Sequence, residues 1–232
     1  DTTIIKYSFT FFIAILIFIL CALALPAFAG TMHFPFEISF DDPAERAGWT
    51  FQNSTNAGTN TWVIDADHDY AYGDSCMLYL SNDGGYTRVY SSEYGDFKCM
   101  AYCLLDTLPI GQYVLNFRFR GIGKNTNSYI YPRILTAPNL GVGDDNRYED
   151  GSWQYYYYCN TSNDGRWWKE ASYPFSIDGN SPVYLCLYFR SYDYSGDIGN
   201  YLGYAIDGIQ IYPKNAPTAC SIMPKNLSMN RS

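Results

Sequence analysis

Apolar and polar positions alternate with a period of two over much of this chain. In the segment 113–120 the aromatic and leucine side chains fall on one face and the polar side chains on the other. The segment 183–190 repeats the pattern, with Val183, Leu185, Leu187 and Phe189 facing inward. This alternation predicts half-buried strands. Further predicted strands are Phe34–Phe40, Trp62–Ile64, Cys76–Ser81, Thr87–Tyr90, Ser128–Leu135, Trp153–Cys159, Tyr173–Ile177 and Tyr204–Tyr212.

Turn signals separate these strands. Glycine-containing turns are expected at 82–85, 163–165, 178–180 and 195–197, and no window shows sustained helical periodicity. Short strands with one polar face each predict an all-β fold, an antiparallel β-sandwich of the jelly-roll type.

Composition narrows the class of function. The chain has 232 residues, a net charge of −8, 47% hydrophobic residues and 24 tyrosines. The acidic balance counts against nucleic acid and against anionic membrane surfaces, because both require a basic surface. So many amphipathic rings favour an extracellular β-rich protein that binds other molecules.

The N-terminal segment predicts export. Lys6 precedes an apolar run, Phe9–Leu25, and a small-residue exit that ends at Ala29. Residues 1–29 are therefore expected to be a cleaved signal peptide, with no membrane insertion afterwards; an uncleaved anchor is the alternative. The mature protein is expected to be secreted or on the cell surface.

The remaining chain is expected to form one folded domain, 30–213. Residues 214–232 read as a linker and the start of a truncated fibronectin type III-like module, so the protein is expected to continue into further domains. Six cysteines follow the signal segment, and export permits three disulfides. Buried free thiols at strand positions are the alternative. They are Cys76, Cys99, Cys103, Cys159, Cys186 and Cys220.

Several motifs, taken in order, carry a family resemblance. They are Pro35–Asp42, Gly48-Trp49, Trp62–Ile64, Leu78–Gly85, Pro109–Gly121, Trp168-Lys169, Tyr184–Phe189 and Ala205–Ile211. Over roughly residues 33–213 the chain resembles the cleaved-adhesin-like jelly-roll domains of exported Bacteroidetes proteins, which include gingipain adhesin modules. Gly208 stands where that family usually has Asn. The resemblance implies a non-catalytic surface module, related in shape to carbohydrate-binding jelly rolls and often carrying structural calcium.

Acidic residues near both ends of the domain suggest where calcium would bind. Asp207 is expected to share a face with Ile209 and Ile211, where an unpaired carboxylate would be costly. Asp42 continues the face of the first strand, while the resemblance points to Asp41. If the first and last strands are neighbours, Asp41 or Asp42 could join Asp207 as oxygen ligands of Ca²⁺. The alternative is that Asp207 accepts backbone N–H groups and that the other two begin a turn.

Two other acidic groups are weaker candidates. Residues 65–69 resemble the start of an EF-hand loop, but Tyr70 and Cys76 stand where glycine and glutamate are needed. The acidic residues at 144–150 favour a solvated loop.

Aromatic residues give the ligand-binding candidates. Trp153, Tyr155 and Tyr157 precede the turn at 163–165, and Trp167 follows it. Strand alternation exposes one set of tyrosines, and exposed rings stack on sugars. Trp168 is expected in the core, which leaves Trp167 as the platform. The alternative is that these rings pack the sandwich and cover an edge.

A catalytic role has little support in the sequence. His33 and His68, the two histidines, have no nucleophile motif near them, although a pair of carboxylates for glycoside hydrolysis stays open. The sequence favours a non-catalytic binding or adhesion module for a glycan or for a host or matrix protein. A structural spacer, accessory to a downstream peptidase or glycoside hydrolase, is the alternative.

Overall fold

A computed structural model describes residues 36–66, 76–93, 95–122, 128–141, 157–158, 167–191 and 200–215, all within one unit of the chain, Met32–Ser232. The predicted signal peptide and the predicted tail beyond residue 215 lie outside these ranges. None of the helices in the ranges has the length and apolar character needed to cross a membrane.

Strands make up most of the described chain. One short helix, α1 (Pro43–Ala47), lies between the first two strands. The strands are β1 (Phe36–Ile38), β2 (Trp49–Asn53), β3 (Thr61–Ala66), β4 (Cys76–Ser81), β5 (Val89–Ser91), β6 (Phe97–Leu104), β7 (Gly111–Arg120), β8 (Ser128–Leu135), β9 (Tyr157–Tyr158), β10 (Lys169–Ile177), β11 (Tyr184–Ser191), β12 (Asn200–Leu202) and β13 (Ala205–Pro213).

These strands form two large antiparallel sheets. The six-stranded sheet has the order β10-β7-β13-β4-β3, with β1 also paired to β13, and the five-stranded sheet has the order β2-β6-β11-β8-β9. Strands β5 and β12 form a small third sheet. From β6 to β8 and from β10 to β13 the chain crosses repeatedly between the large sheets, as in a jelly roll. The predicted all-β antiparallel sandwich is confirmed.

The core lies between the two large sheets. Leu115 and Phe117 of β7 point inward from the six-stranded sheet, and Leu187 and Phe189 of β11 point inward from the other. Each is at most 2% exposed, as the period-two pattern predicts. Packing of these two faces excludes water from the space between the sheets and provides most of the stabilisation.

The first and last strands are neighbours. Phe36 and Ile38 of β1 pair with Ile211 and Ile209 of β13. The expectation that these strands lie side by side is confirmed, and it brings the chain after β1 close to the middle of β13.

Three strands and the helix were not predicted. Strands β2, β6 and β12 are additional, and β6 is the most informative of them, because apolar residues occupy both of its faces and remove the period-two contrast. The helix is short and has a local signal, since Asp42 caps it by accepting a hydrogen bond from Ala44 N at 2.8 Å and Pro43 begins it.

The disulfide prediction is wrong for the cysteines that the structure describes. Cys76, Cys99, Cys103 and Cys186 are free, and Cys159 and Cys220 lie outside the described residues. Cys103 faces the core, whereas Cys186, on the neighbouring strand, belongs to a cluster on the opposite face of the same sheet. A sheet separates these two side chains, so the alternative of buried strand thiols describes them.

Candidate functional site

Among the described residues, the outer face of the five-stranded sheet carries the largest set of aromatic side chains outside the core. Because β6, β11 and β8 are adjacent and in register, alternate residues of the three strands meet on this face. We call it the tyrosine face; its residues are Met100, Tyr102, Leu104, Tyr129, Tyr131, Arg133, Leu135, Tyr184, Cys186 and Tyr188.

Part of the tyrosine face is covered. The rings of Tyr131 and Tyr188 stack at 4.8 Å between centroids with an angle of 5° between planes. The Tyr188 hydroxyl donates to Asn139 O at 2.6 Å, and Leu140 packs against the same cluster. Burial and the neighbouring Cys186 thiol raise the pKa of Tyr188. The loop after β8 therefore covers this part, and these rings serve packing.

The other end of the tyrosine face is accessible. Tyr102 and Tyr184 are half-buried, and their rings meet edge to face with centroids 6.1 Å apart. Leu104, directly opposite Tyr184, is 37% exposed. Thr50 and Gln52 of edge strand β2 extend the same face and are exposed. The result is an apolar aromatic surface bordered by hydroxyl and amide groups, the combination expected where a polyhydroxylated ring binds.

The outer face of the five-stranded sheet also carries basic side chains. Among the described strand positions of the face, Lys98, Arg133 and Arg190 are basic and no position is a carboxylate. The Arg133 guanidinium carbon lies 5.1 Å from the Tyr131 ring centroid, a cation–π contact. Arg190 binds Asp96, from the segment before β6, through two hydrogen bonds of 2.8 and 3.0 Å.

Tyr157 differs from its predicted role as an exposed platform. Its ring packs on Phe117 and Phe119 at 5.3 and 5.5 Å between centroids. Its hydroxyl donates to Ser172 O of β10 at 2.6 Å. Because β9 and β10 are edge strands of opposite sheets, Tyr157 closes one side of the sandwich, as the packing alternative proposed. Trp153 and Tyr155 lie outside the described residues.

Trp167 is strongly exposed. It is 70% exposed and immediately precedes β10, and Trp168 turns to the outer surface of the six-stranded sheet. There Trp168 packs near Met77 and Tyr79, and the Arg120 guanidinium carbon lies 4.6 Å from its ring centroid. Trp168 is thus covered outside the interlayer core, and Trp167 presents its ring to solvent.

The expected orientation of Asp207 is wrong. Its partner across β7 is Arg118, on the outer surface, whereas Ile209 and Ile211 point into the core. Between Asp207 and Gln210 the register shifts by one residue, and Gly208 has φ of 60°. This β-bulge reverses the alternation, which a strict period of two does not reproduce.

Asp41 and Asp42 also differ from the expectation of a continued strand. Strand β1 ends at Ile38, and Phe40 has φ of 64°, so the chain turns before reaching them. Asp42 is committed to capping α1, while Asp41 Oδ1 accepts from Cys76 N at 2.9 Å.

The acidic residues fit a cation only in part. Burial, and then repulsion from Asp41, raise the pKa of Asp207 to about 6, although a hydrogen bond from Gly208 N and the charges of Arg118 and Arg120 lower it. A cation near both carboxylates would relieve this repulsion. Asp42 does not fit, and the described residues hold no group of three metal-binding side chains. Backbone carbonyls or water would have to complete the coordination.

The histidines and the other acidic segments form no site among the described residues. His33, His68 and the acidic residues at 144–150 lie outside the described residues, and so does most of the EF-hand-like segment. Its first residue, Asp65, is exposed on edge strand β3.

Sequence reasoning missed the tyrosine face, although a signal for it exists. Tyr184, Cys186 and Tyr188 alternate on β11 with the predicted inward residues, and Tyr129 and Tyr131 do so on β8. The outer positions of these strands are thus as aromatic as the inner ones, which indicates a sheet whose two faces both make contacts.

Comparisons with known proteins give structural likenesses only. No family model and no curated protein matches the chain. The K1 cleaved adhesin domain of Lys-gingipain from Porphyromonas gingivalis W83 is 10% identical to this chain, over 78% of this chain and 99% of that one, with a TM-score of 0.44. A family 35 carbohydrate-binding module from Clostridium thermocellum is 9% identical over 78% and 99%, with a TM-score of 0.39.

Solved structures from enzymes are also among these likenesses. The glycoside hydrolase domain of Endo-D from Streptococcus pneumoniae R6 is 12% identical, over 72% of this chain and 22% of that one, with a TM-score of 0.42. At these identities and scores, the likenesses assign neither a family nor a function to this chain.

Proposed function

We propose that this chain is a non-catalytic module of an exported protein and that it binds a glycan at the accessible end of the tyrosine face. The observation that carries the proposal is the half-buried, edge-to-face pair of Tyr102 and Tyr184 beside the exposed Leu104. Adhesion to a host or matrix protein, within a larger multidomain protein, is the wider role in which such a module would act.

The chemistry of this surface suits a sugar. A pyranose ring has C–H groups that pack on an aromatic face and hydroxyl groups that need hydrogen-bond partners. Tyr102 and Tyr184 supply the aromatic surface. Gln52 and Thr50, exposed on the adjacent strand β2, supply the hydrogen-bond partners. This surface carries no carboxylate pair among the described residues, which favours binding over hydrolysis.

The test is binding of the module to a panel of soluble plant, bacterial and host polysaccharides by affinity electrophoresis. The ligand found is then titrated by calorimetry. Tyr102→Ala, Tyr184→Ala and Gln52→Ala are each expected to weaken binding, the two tyrosine variants by at least about tenfold, or about 1.4 kcal/mol. Gln52→Ala removes an exposed side chain and cannot be confused with unfolding. Tyr86→Ala is the matched control, because Tyr86 is 81% exposed in a different loop.

Trp167 defines a separate arm of the experiment. Its 70% exposed ring is a stacking platform of its own, and we expect Trp167→Ala to weaken binding less than the tyrosine variants do. If Trp167→Ala alone abolishes binding, the site belongs at the edge near β10 and the tyrosine face is excluded. If no polysaccharide in the panel binds, the structural spacer replaces this proposal.

We also propose that Ca²⁺ binds at Asp41 and Asp207 and stabilises the domain. Oδ1 of each carboxylate accepts a backbone hydrogen bond, and the second oxygen of each stays available to a hard cation. Excess chelator is then expected to lower the melting temperature of the wild type and to leave Asp207→Asn unchanged. An Asp106→Asn variant, altered away from this pair, serves as the control. A wild-type melt that is identical with chelator and with calcium would exclude the metal.

A further inference from the structure

A depression on the six-stranded sheet has the features of a second binding site. It occupies about 120 Å³ where β7, β10 and the turn after β13 meet. Its lining residues are Gln112, Tyr113, Pro174, Phe175, Ser176 and Lys214. None of them belongs to the five-stranded sheet, so the depression is separate from the tyrosine face.

The base of the depression is rigid. On the core side of the sheet beneath it, the rings of Tyr113 and Phe175 stack with centroids 5.5 Å apart and an angle of 20° between planes. The Tyr113 hydroxyl donates to Pro109 O at 2.7 Å, and Lys214 N donates to Gln112 O at 2.9 Å. The hydrogen bond from Lys214 N fixes the backbone of the turn, and it therefore fixes the position of the Lys214 Cα atom from which the side chain extends.

The rim is polar and not engaged elsewhere. The side chains of Gln112, Ser176 and Lys214 make no hydrogen bond or ion pair within the part of the chain that the structure describes. They offer an amide, a hydroxyl and an ammonium group to a ligand. Lys214 is the one charged residue of the lining, and no carboxylate opposes it there.

From this arrangement we propose that the depression binds an anionic sugar unit, a uronate or a sulfated residue. Lys214 binds the anion, Gln112 and Ser176 bind hydroxyl groups, and Pro174 contacts the sugar C–H surface. A volume of about 120 Å³ is below the range of about 300 Å³ and above that is typical for drug-sized ligands, so the depression accepts one unit and not a longer segment. This site goes beyond the proposed function and does not depend on the tyrosine face.

The experiment is an amide-resolved NMR titration of the whole module with galacturonate, galactose-6-sulfate and galactose. We expect both anionic sugars to shift the amide signals of Gln112, Ser176 and Lys214, and to bind at least about fivefold more tightly than galactose. Lys214→Met is expected to abolish this preference, and Lys214→Arg to retain it. Lys169→Met changes the net charge equally from the other end of β10 and is expected to keep the preference.

The outcomes separate this site from the first one. A Tyr102→Ala variant is expected to bind galacturonate as the wild type does, whether or not the tyrosine face binds a glycan. Binding of one anionic sugar without the other would still support the site and identify its ligand as carboxylated or sulfated. Equal affinities for galactose and both anionic sugars, shifts confined to other residues, or an unchanged preference in Lys214→Met would overturn the proposal.

Discussion

Asp207 lies opposite Arg118 on the outer surface of the six-stranded sheet, while Ile209, two residues later, packs into the sandwich core. A regular strand would place both side chains on one face. The difference arises at Gly208, whose φ of 60° permits the bulge. This bulge sets the environment of Asp207.

The bulge predicts a specific cost for substitution at Gly208. A Cβ atom would have space, because its nearest neighbour, Arg118 Cδ, would be 4.0 Å away. The backbone conformation alone therefore disfavours Gly208→Ala, by about 1 kcal/mol in the free energy of unfolding, and Gly208→Asn by less. Denaturant unfolding measures both. Gly179→Ala is the control, because Gly179 has no positive φ and no atom within 4 Å of the added Cβ. Equal effects at the two glycines would contradict this account of the bulge.

Asp207 predicts a pH dependence of stability. Burial raises its pKa in the folded state to about 6, above its ordinary value of 3.8, so the folded protein binds the proton more tightly than the unfolded chain does. The contribution of this group therefore falls as pH rises from about 4 to about 6. Solvent screening at this half-buried site limits the loss to on the order of 1–2 kcal/mol.

Unfolding in denaturant between pH 4 and pH 7, with excess chelator present, measures this loss. Asp207→Asn is expected to gain stability relative to the wild type as pH rises through this window, because it carries no charge to bury. Asp178→Asn, altered at an exposed residue, is the control. A constant difference between wild type and Asp207→Asn over the whole range would show that the carboxylate is not desolvated.

Tyr157 is predicted to stabilise the fold by closing one side of the sandwich. Tyr157→Phe keeps the ring on Phe117 and Phe119 but loses the hydrogen bond to Ser172 O, at a cost of about 1 kcal/mol. Tyr157→Ala loses the ring as well and is expected to cost about 3 kcal/mol. Thermal and denaturant unfolding measure both, with Tyr86→Phe as the exposed control. If Tyr157→Ala unfolds like the wild type and instead loses glycan binding, Tyr157 has the ligand-binding role that the sequence suggested.

The free thiols predict a pattern of chemical reactivity. Burial raises the pKa of Cys186 to about 12 and raises the pKa of Cys99 and Cys103 further. Since the thiolate is the reactive form, iodoacetamide at pH 8 should leave these three unmodified in the native protein and modify them in denaturant. The half-buried Cys76 should react first among the four. Peptide mapping by mass spectrometry reads both states, and any disulfide-linked peptide containing one of these cysteines would contradict the assignment.

The sequence was sufficient to find most of the strands that the structure describes. Strands β4 and β8 begin and end as predicted, and β7 and β11 differ from the prediction by one or two residues. Strand β6 was not predicted from the sequence, because Met100 and Tyr102 on its outer face are as apolar as Cys99 and Ala101 on its inner face. A period-two analysis depends on contrast, and a strand packed on both faces has none.

The candidate sites could not be predicted from the sequence alone. Trp167 was identified as an exposed ring from sequence, and it is exposed. No local sequence pattern distinguished Tyr157 from the exposed Trp167. A tyrosine at this position is a binding platform or an edge contact depending on which sheet lies beside it. The orientation of Asp207 depended on one β-bulge, and the alternation of apolar and polar residues does not predict where a bulge occurs.

Local preference and solvent exposure therefore account for what could be inferred along the chain: extended segments, tight turns, and the antiparallel sandwich that buries their apolar sides. Tertiary packing decided the rest. Strands β6, β11 and β8 had to become neighbours before Tyr102 met Tyr184, and β7, β10 and β13 had to converge before Lys214 lay beside Gln112 and Ser176. The physical reason is that side chains distant in sequence form a surface only after the pairing of strands fixes which of them share a face.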